Sequence, residues 1–162
     1  MSTRSREVRW EDPNALAATG RKLSGIEYLK KMIAGELPRP PIAELMGFTL
    51  GEVDDGKATF VAEPAEYHYN PIGVVHGGLA ATLLDSAMGC AIHSTLPAGV
   101  GYTTLEIKVN YIRAMTSETG PVRCEAKVVH VGGKTATAEG RVTDAAGKLY
   151  AHGTTTCLVM RG

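Results

Sequence analysis

Aromatic side chains are scarce in this 162-residue sequence, with one Trp, two Phe and six Tyr, so its interior must be built mainly from aliphatic and small residues. Charge of one sign is missing as well: 17 Lys and Arg balance 17 Asp and Glu. With no global field to draw in nucleic acid or an anionic membrane, any anion site has to be local. Cysteines number three, Cys90, Cys124 and Cys157, an odd count in no metal-ligand spacing. That excludes a disulfide framework, fits a reducing compartment, and leaves them as small buried apolar residues. The N-terminus has no apolar run of the signal-peptide kind, and no window offers the roughly 20 apolar residues of a spanning helix, so a cytoplasmic location is expected. His68, His76, His93, His130 and His152 show no close ligand spacing, and no metal is expected. A Gly-x-Ser-x-Gly elbow is also absent, which sets aside a serine hydrolase.

What is present is an ordinary globular composition, 44% apolar and 21% charged, of a length suited to one core. Residues 1 to about 23 mix charges with Pro13, Asn14 and Gly20 without periodicity and read as a loose lead. Ser24-Gly-Ile-Glu27 is a capping box opening a short helix that ends near Gly35. The run Pro38-Arg-Pro-Pro41 then separates an N-terminal extension, residues 1–40, from a main domain, residues 41–162. Ile42 to Gly47 is expected to form one more helical turn. Phe48–Val53 and Lys57–Glu63 read as strands around the hairpin signal Asp54-Asp-Gly56. From Gly77 to Ser94 no proline intervenes, and Leu79, Leu83, Leu84, Ala87, Met88, Ala91 and Ile92 recur at helical spacing with few polar residues, so this long helix should be buried nearly all round. Four strand-like segments close the chain: Thr103–Ile112, Val122–Val131, Thr135–Thr143 and Leu149–Val159. Segregated helices and strands of this order predict an α+β fold, an antiparallel sheet of five to six strands packed on a long helix.

Chemistry concentrates between the first hairpin and that helix, in Tyr67-His-Tyr-Asn-Pro-Ile-Gly-Val-Val-His-Gly-Gly78. The first N–H groups of a helix lack internal partners and carry the positive end of its dipole, and glycine lets a substrate oxygen approach them. Such a junction can hold an oxyanion. Asp85 lies within the same helix among Leu83, Leu84, Ala87 and Met88, where a carboxylate is costly unless paired or facing a polar cavity. Taken singly, each residue has a plainer reading: Asp85 caps a loop or pairs with a base, His76 bonds to backbone, and Asn70 is a turn residue before Pro71. Asp85 follows Gly77 by eight residues, roughly 12 Å along the helix axis. The two cannot touch one reacting carbon unless a symmetric dimer sets two such helices side by side and antiparallel.

Taken together, Asn70-x-x-Gly73-x-x-His76-Gly77-Gly78-x-x-x-x-Leu83-x-Asp85 resembles the signature of hotdog-fold thioesterases of the phenylacetate-degradation type. The resemblance spans about residues 42 to 160, including Thr103-Thr-Leu-Glu-Ile-Lys-Val-Asn-Tyr-Ile-Arg113 and the turn Gly132-Gly-Lys-Thr135. It implies a sheet wrapped on a central helix, dimers paired into tetramers, and hydrolysis of acyl-CoA to free acid and CoA without a cofactor. By the same resemblance the Gly77 N–H polarises the thioester carbonyl, with Gly78 beside it. Asp85 of the partner subunit acts as general base or nucleophile, Asn70 and His76 organise the carbonyl side, and Thr104 helps place the water or the carboxylate. Arg113 and the Gly132-Gly133-Lys134 turn are candidates for the CoA phosphates, since a glycine turn exposes N–H groups and Lys or Arg supplies charge.

Two rival functions stand beside this one. A hotdog hydratase or dehydratase would pair a histidine with a carboxylate in one site, and a non-catalytic acyl-CoA-binding protein would need no buried carboxylate at all. An aromatic, phenylacetyl-type acyl group and a medium-chain one are both compatible with the sequence. Leu79, Met88, Leu105 and the loop around Tyr67 and Tyr69 are expected to shape its pocket, and residues 1–40 to cap either that pocket or an oligomer surface.

Overall fold

In the computed structural model, which describes residues 2–161, four helices and six strands follow one another. The helices are α1 (Pro13–Gly20), α2 (Gly25–Ile33), α3 (Pro41–Met46) and α4 (Gly77–Ser94). The strands are β1 (Phe48–Asp54), β2 (Lys57–Ala62), β3 (Gly101–Tyr111), β4 (Val122–Val131), β5 (Thr135–Asp144) and β6 (Leu149–Met160). The strands form one antiparallel sheet in the order β1-β2-β4-β5-β6-β3. All six touch α4, the arrangement expected of the sequence.

The central helix is specified by its apolar and small residues. Leu83, Leu84, Ala87, Met88, Ala91 and Ile92 have no exposed surface, and no α4 residue is fully exposed. Burying one side chain such as Leu84 stabilises the fold by about 1.5–3 kcal/mol. Two strand glycines let the sheet come close. A Cβ at Gly140 would lie 3.1 Å from Leu84 Cδ2, and one at Gly153 would lie 2.5 Å from the Lys108 carbonyl oxygen and 3.4 Å from Leu84 Cδ1. At the far end of α4, Ser94 Oγ donates to the Ala91 carbonyl and accepts the Gly56 N–H at 2.9 Å, tying the helix to the β1–β2 turn.

One stripe of α4 is left without a full cover. Gly77, Gly78, Ala81, Thr82, Asp85, Ser86 and Cys90 recur at helical spacing and are each only half-buried. Two of these, Gly77 and Asp85, contact side chains of β3, a strand at the edge of the sheet.

The N-terminal region departs from the sequence-based expectation. Instead of a loose lead it contains α1, opened by Pro13 and capped by Asp12, whose carboxylate accepts the Asn14 N–H at 2.9 Å. Leu16 is its single buried residue, and two helical turns with one apolar anchor show no periodicity to read. The capping box of α2 forms as expected, with Ser24 N–H donating to Glu27 Oε2 at 3.0 Å and Glu27 N–H to Ser24 Oγ at 3.4 Å. Leu29 of α2 joins the same core as α4 and the strands, so this part of the extension is integral to the fold. The cysteines are free, with Cys124 and Cys157 buried and Cys90 half-buried. Among the described residues no helix is long and apolar enough to cross a membrane.

Candidate active site

The segment leading into α4 is held by a chain of backbone bonds. His68, in a 3-10 turn over Glu66–His68, is buried. Its Nδ1 accepts the Ala65 N–H at 2.9 Å, which places its proton on Nε2, and Nε2 donates to the Met46 carbonyl at 2.8 Å. Burial pushes the His68 pKa below the ordinary histidine value, although its bonds to Met46 and Ala65 oppose this. Its own carbonyl accepts the His76 N–H at 2.8 Å. Between them the chain makes a tight loop in which Asn70 Oδ1 accepts from the Ile72 and Val74 N–H groups at 3.0 and 3.3 Å. Gly73, at φ 84°, closes the loop in a conformation that favours glycine.

The loop delivers His76 to the N-cap of α4, where its Nδ1 accepts the Gly78 N–H at 2.8 Å. The plain local readings of Asn70 and His76, a turn residue and a backbone-bonded histidine, therefore describe the bonds these side chains make. The Gly78 N–H is taken by this cap. Among the described residues no group accepts the Gly77 N–H, so it is the free donor at the helix start. The Tyr111 ring lies against it: the phenol donates to the Gly77 carbonyl at 3.2 Å, and a Cβ at Gly77 would lie 2.9 Å from Tyr111 Cε1. A cavity of about 300 Å³ opens beside Gly77, lined by Val74, Val75, Ala80, Tyr111, Met115 and Tyr150 among others.

Asp85 sits two turns further along α4. Thr104 Oγ1 donates to its Oδ1 at 2.8 Å. Among the described residues no Lys, Arg or His forms an ion pair with it, and its Oδ2 has no hydrogen-bond partner. The plain reading of Asp85 as a loop cap or ion-pair member is not what the structure contains. Its surroundings are instead the thiols of Cys90 and Cys157 and the phenol of Tyr102. Burial first, and the Asp85 charge second, push the Cys90 thiol up to about 12, and burial likewise raises Tyr102 and Cys157. All three stay protonated at neutral pH.

The expected site residues thus fall into two groups within one chain. Gly77, Gly78, His76 and Asn70 gather at the start of α4, whereas Asp85 and Thr104 lie roughly 12 Å away along the helix. The candidate phosphate ligands divide the same way. Arg113 is exposed, donates to the Leu149 carbonyl at 2.9 Å, and lines the cavity beside Gly77. Gly133 and Lys134 occupy the exposed β4–β5 turn, where their carbonyls accept from Arg161 and from the Val159 N–H. The first group lies beside Tyr150 and the second beside Leu158, opposite ends of β6 and roughly 26 Å apart at the rise of an extended strand. A larger concavity of about 840 Å³ lies on the sheet face turned away from α4, lined by Lys57, Lys127, Glu139, Arg141 and His152. It contains none of the expected site residues, whereas the cavity at Gly77 adjoins the free N–H at the start of α4. Leu79 and Met88, expected to shape a pocket, are instead buried in the core beneath α4. Tyr111 and Cys157 carry no local sequence signal for the site, because strand pairing across β3 and β6 brings them to it.

A helix wrapped by a six-stranded antiparallel sheet in this order is the hotdog fold. The thioesterase superfamily model matches residues 72–151, from the loop before His76 into β6. A protein of Halobacterium salinarum assigned as an esterase is 33% identical over 60% of this chain and 66% of its own length. The 1,4-dihydroxy-2-naphthoyl-CoA hydrolase of Listeria monocytogenes is 28% identical over 67% of this chain and 86% of its own. Among solved structures, a phenylacetic acid degradation-related protein of Ralstonia eutropha, assigned as a thioesterase, superposes with a TM-score of 0.73 at 28% identity, covering 81% of this chain and 98% of that one. Residues 72–151 thus belong to the thioesterase superfamily, and the fold around them is that of its hotdog members.

Proposed function

We propose that the chain hydrolyses an acyl-CoA thioester at two equivalent composite sites, each made from the α4 N-terminus of one protomer and Asp85 of the partner subunit. The observation that carries this reading is Asp85 itself, a half-buried carboxylate with one oxygen held, one free and no cation beside it. Such an arrangement is costly and has no structural return within one chain. A binder has no use for it. A hydratase would need histidine and carboxylate together, whereas His76 spends its Nδ1 on the helix cap.

In this mechanism the Gly77 N–H, at the positive end of α4, polarises the thioester carbonyl, with Asn70 and His76 organising the carbonyl side. Asp85 Oδ2 takes a proton from water as the water oxygen bonds to the carbonyl carbon. The resulting oxyanion is stabilised at Gly77. Collapse breaks the C–S bond, and the departing sulfur receives the proton that Asp85 took. If Asp85 attacks directly, the same groups pass through an anhydride that water then opens.

The unpaired edge of β3 supports the dimer, because antiparallel pairing of two β3 strands about a two-fold axis brings opposite ends of the two protomers together. Gly77 and Arg113 of one protomer then approach Asp85, Gly133 and Lys134 of the partner subunit. Arg113 and Lys134, separated in one chain, meet on one CoA. The apolar and aromatic lining beside Gly77 suits an aromatic acyl group of the phenylacetyl type, with a medium chain as the other candidate.

Release of free thiol from a panel of aryl- and alkanoyl-CoA esters tests the activity. Mixing an inactive Asp85→Asn protein with an inactive Gly77 variant, then exchanging subunits, tests the composite site. Half the dimers become mixed and each carries one intact site, so about a quarter of wild-type activity returns. No activity on any ester, or no recovery on mixing, overturns the corresponding half of the reading.

A further inference from the structure

The groups around Asp85 have a definite proton order. Thr104 Oγ1 donates its only proton to Asp85 Oδ1 at 2.8 Å. Thr155 Oγ1 donates its only proton to the Glu106 carbonyl at 2.8 Å. Cys157 lies between these hydroxyls with its Sγ 3.9 Å from Thr104 Oγ1 and 4.0 Å from Thr155 Oγ1. Neither hydroxyl has a proton left for the sulfur, so the thiol can only donate, and Thr104 Oγ1 is its nearer acceptor. The thiol has that proton to give, since burial keeps it from ionising. Backbone register fixes the contact: Thr104 and Cys157 are directly paired across β3 and β6, and the β3 bulge follows Thr104 at once.

We propose that Cys157 is a positioning residue for thioester hydrolysis: its S–H donates to Thr104, commits the Thr104 proton to Asp85 Oδ1, and so leaves Oδ2 as the oxygen that acts on water. This deepens the function proposed above and rests on Asp85 being its catalytic carboxylate. It also assigns Thr104 to the carboxylate and not to the water, because its single proton is spent.

The test is the pH profile of kcat and KM for Cys157→Ala, Cys157→Ser and Asp85→Asn with the best acyl-CoA substrate. An S–H···O bond is weak, so Cys157→Ala is expected to lower kcat about two- to fivefold with KM unchanged. The acid limb of its profile should move up by about half a pH unit, because the ionised carboxylate loses part of its support. Cys157→Ser, which keeps a donor, restores the limb. Thr104→Val keeps the shape of the side chain, removes the donor altogether and sets the upper bound of the shift; Cys157→Val, close to cysteine in volume and without a donor, preserves the test if Cys157→Ala does not fold. A Cys157→Ala enzyme with a lowered melting temperature but a wild-type acid limb overturns the proposal, as does a serine variant that leaves the limb displaced. Asp85→Asn running at the wild-type rate removes the underlying reading as well; an inactive Asp85→Asn beside an unshifted Cys157→Ala removes only the role of Cys157.

Discussion

Replacing Asp85 by Asn separates a working carboxylate from a structural one, because the two roles predict opposite changes in stability. The asparagine Oδ1 still accepts from Thr104 Oγ1, so the one hydrogen bond at this position survives. What disappears is a half-buried negative charge with no ion-pair partner among the described residues. Relief of such a charge is worth about 1 kcal/mol for a group still partly in water, well short of the several kcal/mol of full burial. For a chain of this length that corresponds to a Tm rise of about 2–4 °C. Loss of the general base lowers kcat by about 10²- to 10⁴-fold. Thermal unfolding and thiol release on one preparation of Asp85→Asn read both quantities. A Tm fall of several degrees with hydrolysis retained would refute the argument and return Asp85 to a structural role.

Other substitutions probe the rest of the site and its support. Gly77→Ala places a Cβ 2.9 Å from the Tyr111 ring, an exposed side chain that can swing away; Tm should stay within about 2 °C while kcat falls about tenfold or more, since the displaced ring and the methyl crowd the oxyanion donor. Gly25→Ala has no such escape, because its Cβ would lie 1.7 Å from the His93 carbonyl oxygen; α2 must lift off α4, at a cost of about 1–3 kcal/mol seen as a Tm lower by several degrees. Burial pushes the pKa values of His68 and His93 below the ordinary histidine value. Below about pH 6.5 the unfolded chain then binds more protons than the folded one, so their stabilising contribution is complete above that pH and is lost as the pH falls toward the folded-state values. Tm measured from pH 8 to 5 should be flat at first and then decline, and a curve that rises on acidification contradicts this. The lowered carboxyls of Glu27 and Asp144 act in a separate window, contributing above their ordinary values near 4.5 and 3.8 and fading below them.

Local chemistry made much of this fold legible. The capping box at Ser24, the hairpin turn at Asp54-Asp-Gly56 and the proline-free run from Gly77 to Ser94 each carry their signal within a few residues, and each element forms where that signal lies. The helix α1 was missed because a two-turn helix with Leu16 as its one buried residue has no period. The site was half legible for a different reason. Thr104 and Tyr111 are seven residues apart on one strand, and strict alternation puts them on opposite faces of the sheet. The register shift between Thr104 and Glu106 inserts Leu105 and reverses the parity, so both side chains reach α4, one at Asp85 and the other at Gly77. A bulge has no reliable sequence mark here, and Tyr111 stayed hidden behind it. The same holds for Cys157, whose partner is set by cross-strand pairing over a separation of 53 residues.

That bulge also locates the symmetry axis of the proposed dimer. The midpoint between Gly77 and Asp85 on α4 is Ala81. Thr104 contacts Asp85 and Tyr111 contacts Gly77, so the matching midpoint on β3 falls between Ile107 and Lys108. One two-fold axis through both midpoints pairs the helices and the edge strands in a single operation, and Ala81 with its neighbour Thr82 is small enough to allow close helix approach. Ala81 is half-buried and touches none of the reacting groups. Enlarging it to leucine therefore leaves Gly77, Asp85, Thr104 and Tyr111 chemically intact and pushes the half-sites apart. A displacement of even 1 Å between reacting groups costs about 10²-fold in rate. Ala81→Leu is thus expected to weaken the dimer in sedimentation and to lose hydrolysis in parallel, while its circular dichroism stays native. A monomeric Ala81→Leu protein with full activity would mean that each chain holds a complete site, and the division of chemistry along α4 would need another explanation.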